Sequence, residues 1–230
     1  MEIIEVTARL YLLRFDVGQA YLWRDDDGLT LIDAGPAGHG SPIRSAVAEL
    51  APRGVTVDRI VLTHFHGDHA GSLAEIRQWC AAPVLAHRLD ARYVRGECPA
   101  PAPVLQDWER PLFERVGSHL AGPPADVDRE LRGGEVLDFG GGARVLSVPG
   151  HTDGSIALHL PSQGVLFTGD TIAEHGGEVM LGVFNLDRER AVESMRRLAR
   201  LDPTIACFGH GEPVTAAASS VLRAASEKLG

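Results

Sequence analysis

Residues 64–69 read His-Phe-His-Gly-Asp-His, so three imidazoles and one carboxylate lie within a single turn of chain. Imidazole and carboxylate groups are common ligands of zinc, iron and manganese. The apolar run at 60–62 before them predicts a strand, and residues 70–80 after them predict a helix. The stretch therefore predicts a metal site on a strand-to-helix turn, where a rigid scaffold can direct several side chains to one point.

Gly67 lies in the middle of this stretch and allows a sharp backbone turn, because glycine has no Cβ. We expect His64 and His66 to face one metal ion, and Asp68 and His69 to face a second. A catalytic two-metal site uses about seven protein ligands and a bridging water, so further ligands must come from elsewhere in the chain.

Three later motifs supply candidates for these ligands. Each motif follows an apolar run that predicts a strand, and each places a polar side chain beside a glycine. The candidates are His151 in PGHT, Asp170 in TGDT and His210 in GHG. Loops at strand ends gather side chains at one edge of a sheet, and glycine allows the backbone to come close to a ligand.

Composition agrees with a single soluble enzyme domain. The chain has 230 residues, 44% of them hydrophobic, which suits one large α/β domain or two small ones. The net charge of −9 disfavours nucleic acid as a partner, because phosphate binding relies on dense lysine and arginine. No apolar run approaches the roughly 18 residues of a membrane span. We expect a small-molecule substrate and no membrane partner, with monomer and homodimer both open.

The chain start and the cysteines predict the compartment. The first residues lack the basic stretch and apolar core of a secretory signal. The three cysteines are widely spaced, without a CxxC pair, which is typical of reduced thiols in a cytosolic protein. We therefore expect a cytoplasmic location.

The periodicity of apolar residues predicts two β-rich blocks, each followed by helices, and hence two packed sheets with helices outside. Ser41 is predicted to cap the first helix, with Pro42 at its first position. Strands are predicted at 5–15, 19–24, 29–33, 58–63, near 84, and at 135–139, 143–148, 155–160, 164–168 and 204–208. Helices are predicted at 41–50, 70–80, 88–94, 187–200 and 214–228.

Residues 96–134, between the two blocks, have a different character. A proline-rich run at 98–103 cannot form a regular helix or a central strand, and a helical stretch at about 106–120 follows it. This stretch carries Trp108 and Phe113. One interpretation is a surface insertion that packs its aromatics on the core, and the other is a cap whose apolar residues select the substrate.

A second candidate wall of a substrate site follows Asp170 directly. Residues 172–184 include the polar side chain of His175. Substrate contact and a solvated loop are both open for this segment.

The order HxHxDH, PGHT, TGDT and GHG resembles that of the metallo-β-lactamase-fold hydrolases, over about residues 33–213. The stretch LIDAG at 31–35 is similar to the end of an early strand in that family. The resemblance implies a four-layer αβ/βα sandwich, with two mixed β-sheets and helices outside. It implies one domain over residues 1–230, with a cap or insertion at about 96–134.

The resemblance also implies a ligand set for two divalent metal ions. Zinc is expected, with iron or manganese as alternatives. Asp33 would not bind a metal ion itself but would orient a residue that does. The implied metal ligands are His64, His66 and His151 for the first ion, Asp68, His69 and His210 for the second, and Asp170 bridging both.

In this family type, a metal-bridging hydroxide attacks a carbonyl carbon, because coordination lowers the pKa of water to near 7. Asp68 is the expected catalytic residue, since it can orient the nucleophile and pass its proton to the leaving group. Trp108, Phe113 and His175 are the expected substrate contacts. The predicted activity is a binuclear hydrolase of a small-molecule ester, lactone or thioester.

Several branches fit less well. True β-lactamases lack the aspartate at position 170 and are exported, and ribonucleases of this type carry extra nucleic-acid-binding domains. Glyoxalase II binds glutathione with a C-terminal helical extension, whereas this chain ends soon after His210. Lactonases resemble the chain more closely but carry a tyrosine where Ala173 stands.

Two alternatives from other classes stay open. Persulfide dioxygenases share the motif set but use one iron held by two histidines and one aspartate. The second alternative is a metal-stabilised binding protein without catalysis. Oxygen uptake would separate the first alternative from a hydrolase, because hydrolysis consumes no dioxygen.

Overall fold

The computed structural model describes residues 1–51, 55–115 and 120–229, and these fall into two compact units. The first unit comprises Met1–Pro99 and Ser118–Leu131, and the second comprises Ala100–Gly117 and Arg132–Gly230. The predicted insertion at 96–134 is thus divided between the two units. That the chain is one domain with an insertion stays a prediction.

The described part of the first unit contains a seven-stranded sheet whose strands follow chain order. The first four strands pair antiparallel, and the last four pair parallel. Parallel neighbours need crossover connections, which is why helices separate the later strands. The strands are β1 (Glu2–Thr7), β2 (Leu10–Arg14), β3 (Gln19–Arg24), β4 (Leu29–Ile32), β5 (Val57–Val61), β6 (Val84–His87) and β7 (Arg129–Leu131).

The single strand predicted at 5–15 is wrong, because this segment forms the hairpin β1–β2. The Thr7 hydroxyl accepts a hydrogen bond from the Arg9 backbone N–H at 3.2 Å, which stabilises the reversal. β7 lies within the segment 96–134 and was not predicted. Its short length and mixed polarity give little periodic signal.

Four helices accompany this sheet in the described residues: α1 (Gly40–Leu50), α2 (Gly67–Ala70), α3 (Leu73–Ile76) and α4 (Arg88–Val94). The predicted Ser41 cap is wrong, because α1 begins at Gly40 and its N-cap residue is His39. The Glu75 carboxylate accepts from the backbone N–H groups of Gly38 at 2.7 Å and Gly40 at 3.2 Å. A side chain from α3 thus satisfies donors that a local cap usually serves.

The predicted helix at 70–80 is interrupted between α2 and α3. A Cβ on Gly71 would lie 2.3 Å from the carbonyl oxygens of Gly67 and Leu120. The Ser72 hydroxyl accepts from His39 N at 2.8 Å and donates to Pro36 O. Gly71 itself keeps helical angles (φ −61°, ψ −39°), and the helix is interrupted at Ser72, which has a φ of −87° and a ψ of 3°.

The described part of the second unit contains a five-stranded sheet in the order β14-β11-β10-β9-β8 and a separate hairpin β12–β13. β11 and β14 pair parallel, and the other neighbours pair antiparallel. The strands are β8 (Val136–Leu137), β9 (Ala143–Ser147), β10 (Ile156–Leu160), β11 (Val165–Phe167), β12 (Ile172–His175), β13 (Glu178–Leu181) and β14 (Ile205–Cys207). Most of these match predicted strands, but the hairpin falls in the segment left open at 172–184.

Three helices lie in the described part of this unit: α5 (Arg110–Phe113), α6 (Arg188–Leu198) and α7 (Ala218–Glu227). The helix predicted at 187–200 is confirmed as α6, and its apolar side chains Ala191, Met195 and Leu198 are all buried. Asp187 caps this helix, because its carboxylate accepts from Arg190 N at 3.0 Å.

In the described part of the stretch predicted to be helical at 106–120, the α-helix is shorter than predicted and comprises Arg110–Phe113. Gln106 to Glu109 form a turn that is closed by a Glu109 N to Gln106 O hydrogen bond of 3.0 Å. The remainder of the prediction includes 116–119, which lie outside the described residues.

The mixed α/β class that the sequence predicts is confirmed. None of the helices among the described residues combines the length and the apolar character that a membrane span requires. The three cysteines are free thiols, with Cys80 and Cys207 buried.

Gly71→Ala should lower the free energy of unfolding by about 2 kcal/mol, because the added methyl overlaps three backbone atoms. The φ of Gly71 is −61°, which alanine adopts freely, so the loss would come from packing alone. Urea titration measures it. Gly134→Ala is the control: its φ is +97° but its Cβ meets nothing within 4 Å, so we expect about 1 kcal/mol. A Gly71→Ala protein more stable than wild type would contradict the packing argument.

Candidate metal centre

The His-Phe-His-Gly-Asp-His stretch lies directly after β5 and runs into α2, as predicted. His64 and His69 are buried, whereas His66 and Asp68 are partly exposed. A Cβ on Gly67 would lie 2.6 Å from the backbone nitrogen of Ala121. Glycine is therefore required at this position by close packing.

The Asp33 carboxylate, at the end of β4, accepts three hydrogen bonds from the following turn. Its Oδ1 accepts from Thr63 N at 2.7 Å. Its Oδ2 accepts from the Thr63 hydroxyl at 2.8 Å and pairs with His69 Nδ1 at 3.0 Å. Asp33 is 3% exposed and has a φ of 62°, a conformation that aspartate tolerates better than most residues. A buried carboxylate thus positions the turn that carries the candidate ligands.

These contacts determine which ring nitrogens carry the protons. An ionised carboxylate only accepts, so the Thr63 hydroxyl donates its single proton to Asp33. Thr63 Oγ1 also lies 3.0 Å from His64 Nδ1, and it must accept there. His64 and His69 therefore both carry hydrogen on Nδ1, which leaves the lone pair of Nε2 for a metal ion.

The first unit brings its four predicted ligands into two pairs. The ligand atoms of His64 and His66 lie within 4.8 Å of each other. His69 Nε2 lies 3.5 Å from Asp68 Oδ2. The rings of His64 and His69 are adjacent, with centroids 4.1 Å apart. Four donors are thus close together on one turn.

Helix α4 holds Phe65, in the middle of this turn. The sequence does not predict this contact. The carboxylate of Asp90 is buried and accepts from Phe65 N at 3.2 Å. The Phe65 ring packs on Tyr93 with centroids 4.6 Å apart. The one signal in the sequence is the acidic residue beside the apolar positions of a predicted helix.

The second unit brings together the other three predicted ligands. Asp170 lies in a 3₁₀ turn (Gly169–Thr171) directly after β11. Its Oδ2 is 3.6 Å from His151 Nε2 and 3.2 Å from His210 Nε2. One carboxylate oxygen therefore lies close to two imidazole nitrogens.

His151 presents the same tautomer as His64 and His69. Its Nδ1 lies 3.0 Å from the carbonyl oxygen of Val183, which can only accept. The proton is therefore on Nδ1, and Nε2 is left for a ligand. Gly150 has a φ of +136°, and a Cβ there would lie 2.1 Å from Ala191 N, so the loop packs tightly on the start of α6.

Glu174 of β12 holds the loop that contains His210. The sequence does not predict this role. One Glu174 oxygen accepts from Glu212 N at 2.6 Å, and Glu174 N donates to His210 O at 3.1 Å. Gly211 has a φ of +92°, and a Cβ there would lie 2.1 Å from Glu174 O. This strand-to-loop contact needs glycine beside the histidine.

The predicted substrate residues lie at the surface of the second unit. Trp108 is 57% exposed and Phe113 is 38% exposed. The Phe113 ring packs edge to face on Phe184, with centroids 5.2 Å apart. His175 is exposed at the tip of the β12–β13 hairpin. Their role in substrate binding stays a prediction.

The donors of each unit suit a borderline transition-metal ion. The first unit offers three imidazoles and one carboxylate, and the second offers two imidazoles and one carboxylate. Nitrogen and oxygen ligands of this kind accept zinc, iron or manganese. In three of the imidazoles Nδ1 is hydrogen-bonded to an oxygen atom. A metal-bound histidine usually has such a hydrogen bond on the ring nitrogen that does not bind the metal.

A family model described as the metallo-beta-lactamase superfamily matches residues 13–210. A probable metallo-hydrolase, YqjP of Bacillus subtilis, is 30% identical over 82% of this chain and 66% of its own length. A hydroxyacylglutathione hydrolase of Cereibacter sphaeroides is 32% identical over 79% of this chain. The match spans only 56% of that enzyme's length.

A crystal structure of a metallo-beta-lactamase family protein, TTHA1429 of Thermus thermophilus, has the same fold. It is 27% identical, with a TM-score of 0.69, and the match covers 98% of this chain and 79% of the other.

Thr63→Val should lower the free energy of unfolding of chelator-treated protein by about 2–3 kcal/mol. Valine has the shape of threonine but neither donates to Asp33 nor accepts from His64, so two buried polar groups lose a partner. Thr63→Ser keeps the hydroxyl and should lose less than about 1.5 kcal/mol. Equal losses in the two variants, measured by urea titration, would argue against a role for the hydroxyl.

Proposed function

Because the chain belongs to the metallo-beta-lactamase superfamily, we propose that it is a metal-dependent hydrolase that holds two divalent cations between its imidazoles and carboxylates. The resemblance drawn from its motifs is confirmed by the family match. The single observation that carries the proposal is the hydrogen-bonded state of the histidines, since His64, His69 and His151 all hold Nδ1–H against an oxygen.

The proposed ligand assignment follows the family's motif order. Asp170 is proposed to bridge the ions, which its proximity to His151 Nε2 and His210 Nε2 supports. Zinc is the proposed metal, with iron and manganese as alternatives. The proposed sets are His64, His66 and His151 for the first ion, and Asp68, His69 and His210 for the second.

Bound cations would supply a water molecule of lowered pKa and a positive centre that favours a developing oxyanion. Asp68 is the proposed proton carrier, because it is partly exposed and its carboxylate lies 3.5 Å from His69 Nε2. It would accept a proton from the attacking water and pass it to the leaving group. Asp33 and Thr63 keep His69 and His64 oriented, so their Nε2 atoms need no rearrangement when the substrate arrives.

The proposed substrate is a small-molecule ester, lactone or thioester. One relative is by its name a hydrolase of hydroxyacylglutathione, and this chain matches about half of that enzyme. The half-exposed Phe113 and the exposed Trp108 provide apolar surface that suits an acyl group. His175 is a proposed polar contact for the substrate.

A substrate panel on metal-loaded protein tests the reaction class. It should contain esters, lactones, thioesters, β-lactams and phosphodiesters, each with and without prior chelation. We expect hydrolysis of at least one carbonyl ester type, loss of activity after chelation, and recovery when zinc is restored. Dioxygen uptake by an iron-loaded sample that is given a persulfide, without hydrolysis of any ester, would instead support the persulfide dioxygenase alternative.

Asp68→Asn should keep the fold and lower kcat by a factor of about 10²–10⁴, because the amide cannot take up the water's proton. Circular dichroism and metal content by plasma mass spectrometry accompany the kinetics. Asp26→Asn, which changes an exposed carboxylate paired with Arg9, should leave kcat unchanged. Full turnover in the Asp68 variant would refute the proposed proton transfer.

A further inference from the structure

Glu109 is a buried carboxylate within a surface segment. It is only 3% exposed, although its neighbours at 106–108 and 110–115 are all exposed. Both of its oxygens accept backbone hydrogen bonds, one from Phe184 N at 3.1 Å and the other from Gln106 N at 2.8 Å. Burying a carboxylate costs free energy unless the group is well hydrogen-bonded. The burial of Glu109 therefore indicates a structural or functional role.

The residue that Glu109 holds has an unfavourable backbone conformation. Phe184 has a φ of 58°, in the left-handed region that bulky residues rarely adopt. Such conformations persist where several contacts impose them, and they cluster at functional sites. Here the contacts come from segment 104–113: Glu109 to Phe184 N, the Phe113 ring on the Phe184 ring, and Val104 N to Asn185 O at 3.0 Å.

The same peptide group connects Glu109 to a candidate metal ligand. The N–H of Phe184, which donates to Glu109, and the C=O of Val183, which accepts from His151 Nδ1 at 3.0 Å, belong to one peptide unit. A peptide unit is planar and rigid, so fixing its N–H also fixes the direction of its carbonyl. A negative charge at the N–H end also polarises the unit and strengthens the hydrogen bond at the carbonyl end.

We propose that Glu109 is a positioning residue for His151 and acts through the Val183–Phe184 peptide. It keeps the carbonyl aimed at His151 Nδ1, and therefore keeps His151 Nε2 aimed at its ligand. The peptide thus connects the Glu109 carboxylate to the His151 imidazole, whereas the Asp33 carboxylate contacts the His69 imidazole directly. The proposal rests on the proposed function in so far as His151 is a metal ligand.

The test compares Glu109→Gln with a matched control. Glutamine keeps the size of the side chain and one acceptor oxygen, but it loses the charge and the second acceptor. Glu135→Gln is the control, because Glu135 in the same unit also accepts two backbone N–H groups, from Arg132 at 2.7 Å and Gly133 at 2.9 Å, in a turn before β8. Glu109→Ala is added as a stronger change.

Competition with a coloured chelator gives the zinc affinity of each variant. In Glu109→Gln we expect one of two zinc equivalents to bind about tenfold more weakly, and the other to be unchanged. Glu135→Gln should bind both as wild type does. If Glu109→Gln and Glu109→Ala lose stability in urea but keep wild-type affinity for both equivalents, Glu109 only supports the fold and the proposal is overturned.

A second readout does not depend on metal uptake. The Nδ1–H proton of His151 can be observed by NMR in nitrogen-labelled, metal-free protein, and Glu109→Gln should shift this resonance while Glu135→Gln leaves it in place. An unshifted resonance would also overturn the proposal. Failure of the wild type to take up zinc, iron or manganese would refute the proposed function instead, and the NMR comparison would still decide whether Glu109 acts on His151.

Discussion

The hydrogen bonds of the Asp33 carboxylate are the constraint on which the first half of the candidate site depends. One side chain at the end of β4 accepts from Thr63 N, from the Thr63 hydroxyl and from His69 Nδ1. Because Thr63 must then accept from His64, a single buried charge selects the tautomer of two histidines. The orientation of both rings is therefore fixed by hydrogen bonds within the fold, and this lowers the cost of ordering them when an ion binds.

Other carboxylates outside the ligand set hold the loops that carry the remaining ligands. Asp90 accepts from Phe65 N, Glu109 from Phe184 N, and Glu174 from Glu212 N. Loops at strand ends leave backbone N–H groups without a ladder partner, and ionised carboxylates are the strongest acceptors available for them. Some of the acidic residues of this chain thus accept hydrogen bonds from the backbone of the candidate site.

Membership of the metallo-beta-lactamase superfamily and the donor chemistry together support a metal-dependent hydrolase. The substrate is a separate question, because the family's motifs specify the metal ligands and leave the walls of the site free to vary. In this chain the segment 104–113 contacts the loop that follows β13, with Phe113 on Phe184 and Glu109 on the same residue. The peptide unit that Glu109 contacts at Phe184 N also carries the Val183 carbonyl, which lies 3.0 Å from His151 Nδ1.

The sequence by itself determined the fold class, the family and the candidate ligands, because these depend on local patterns: apolar periodicity, and histidines and aspartates beside glycines at strand ends. Asp33 was also found from its place in LIDAG. Only the tertiary structure showed the roles of Thr63, Asp90, Glu109 and Glu174. Glu109 and Phe184 are 75 positions apart, and Asp90 and Phe65 are 25 apart. Each of these three carboxylates binds a backbone N–H, a donor that every residue except proline carries, so the partner leaves no mark in the sequence and folding alone selects it.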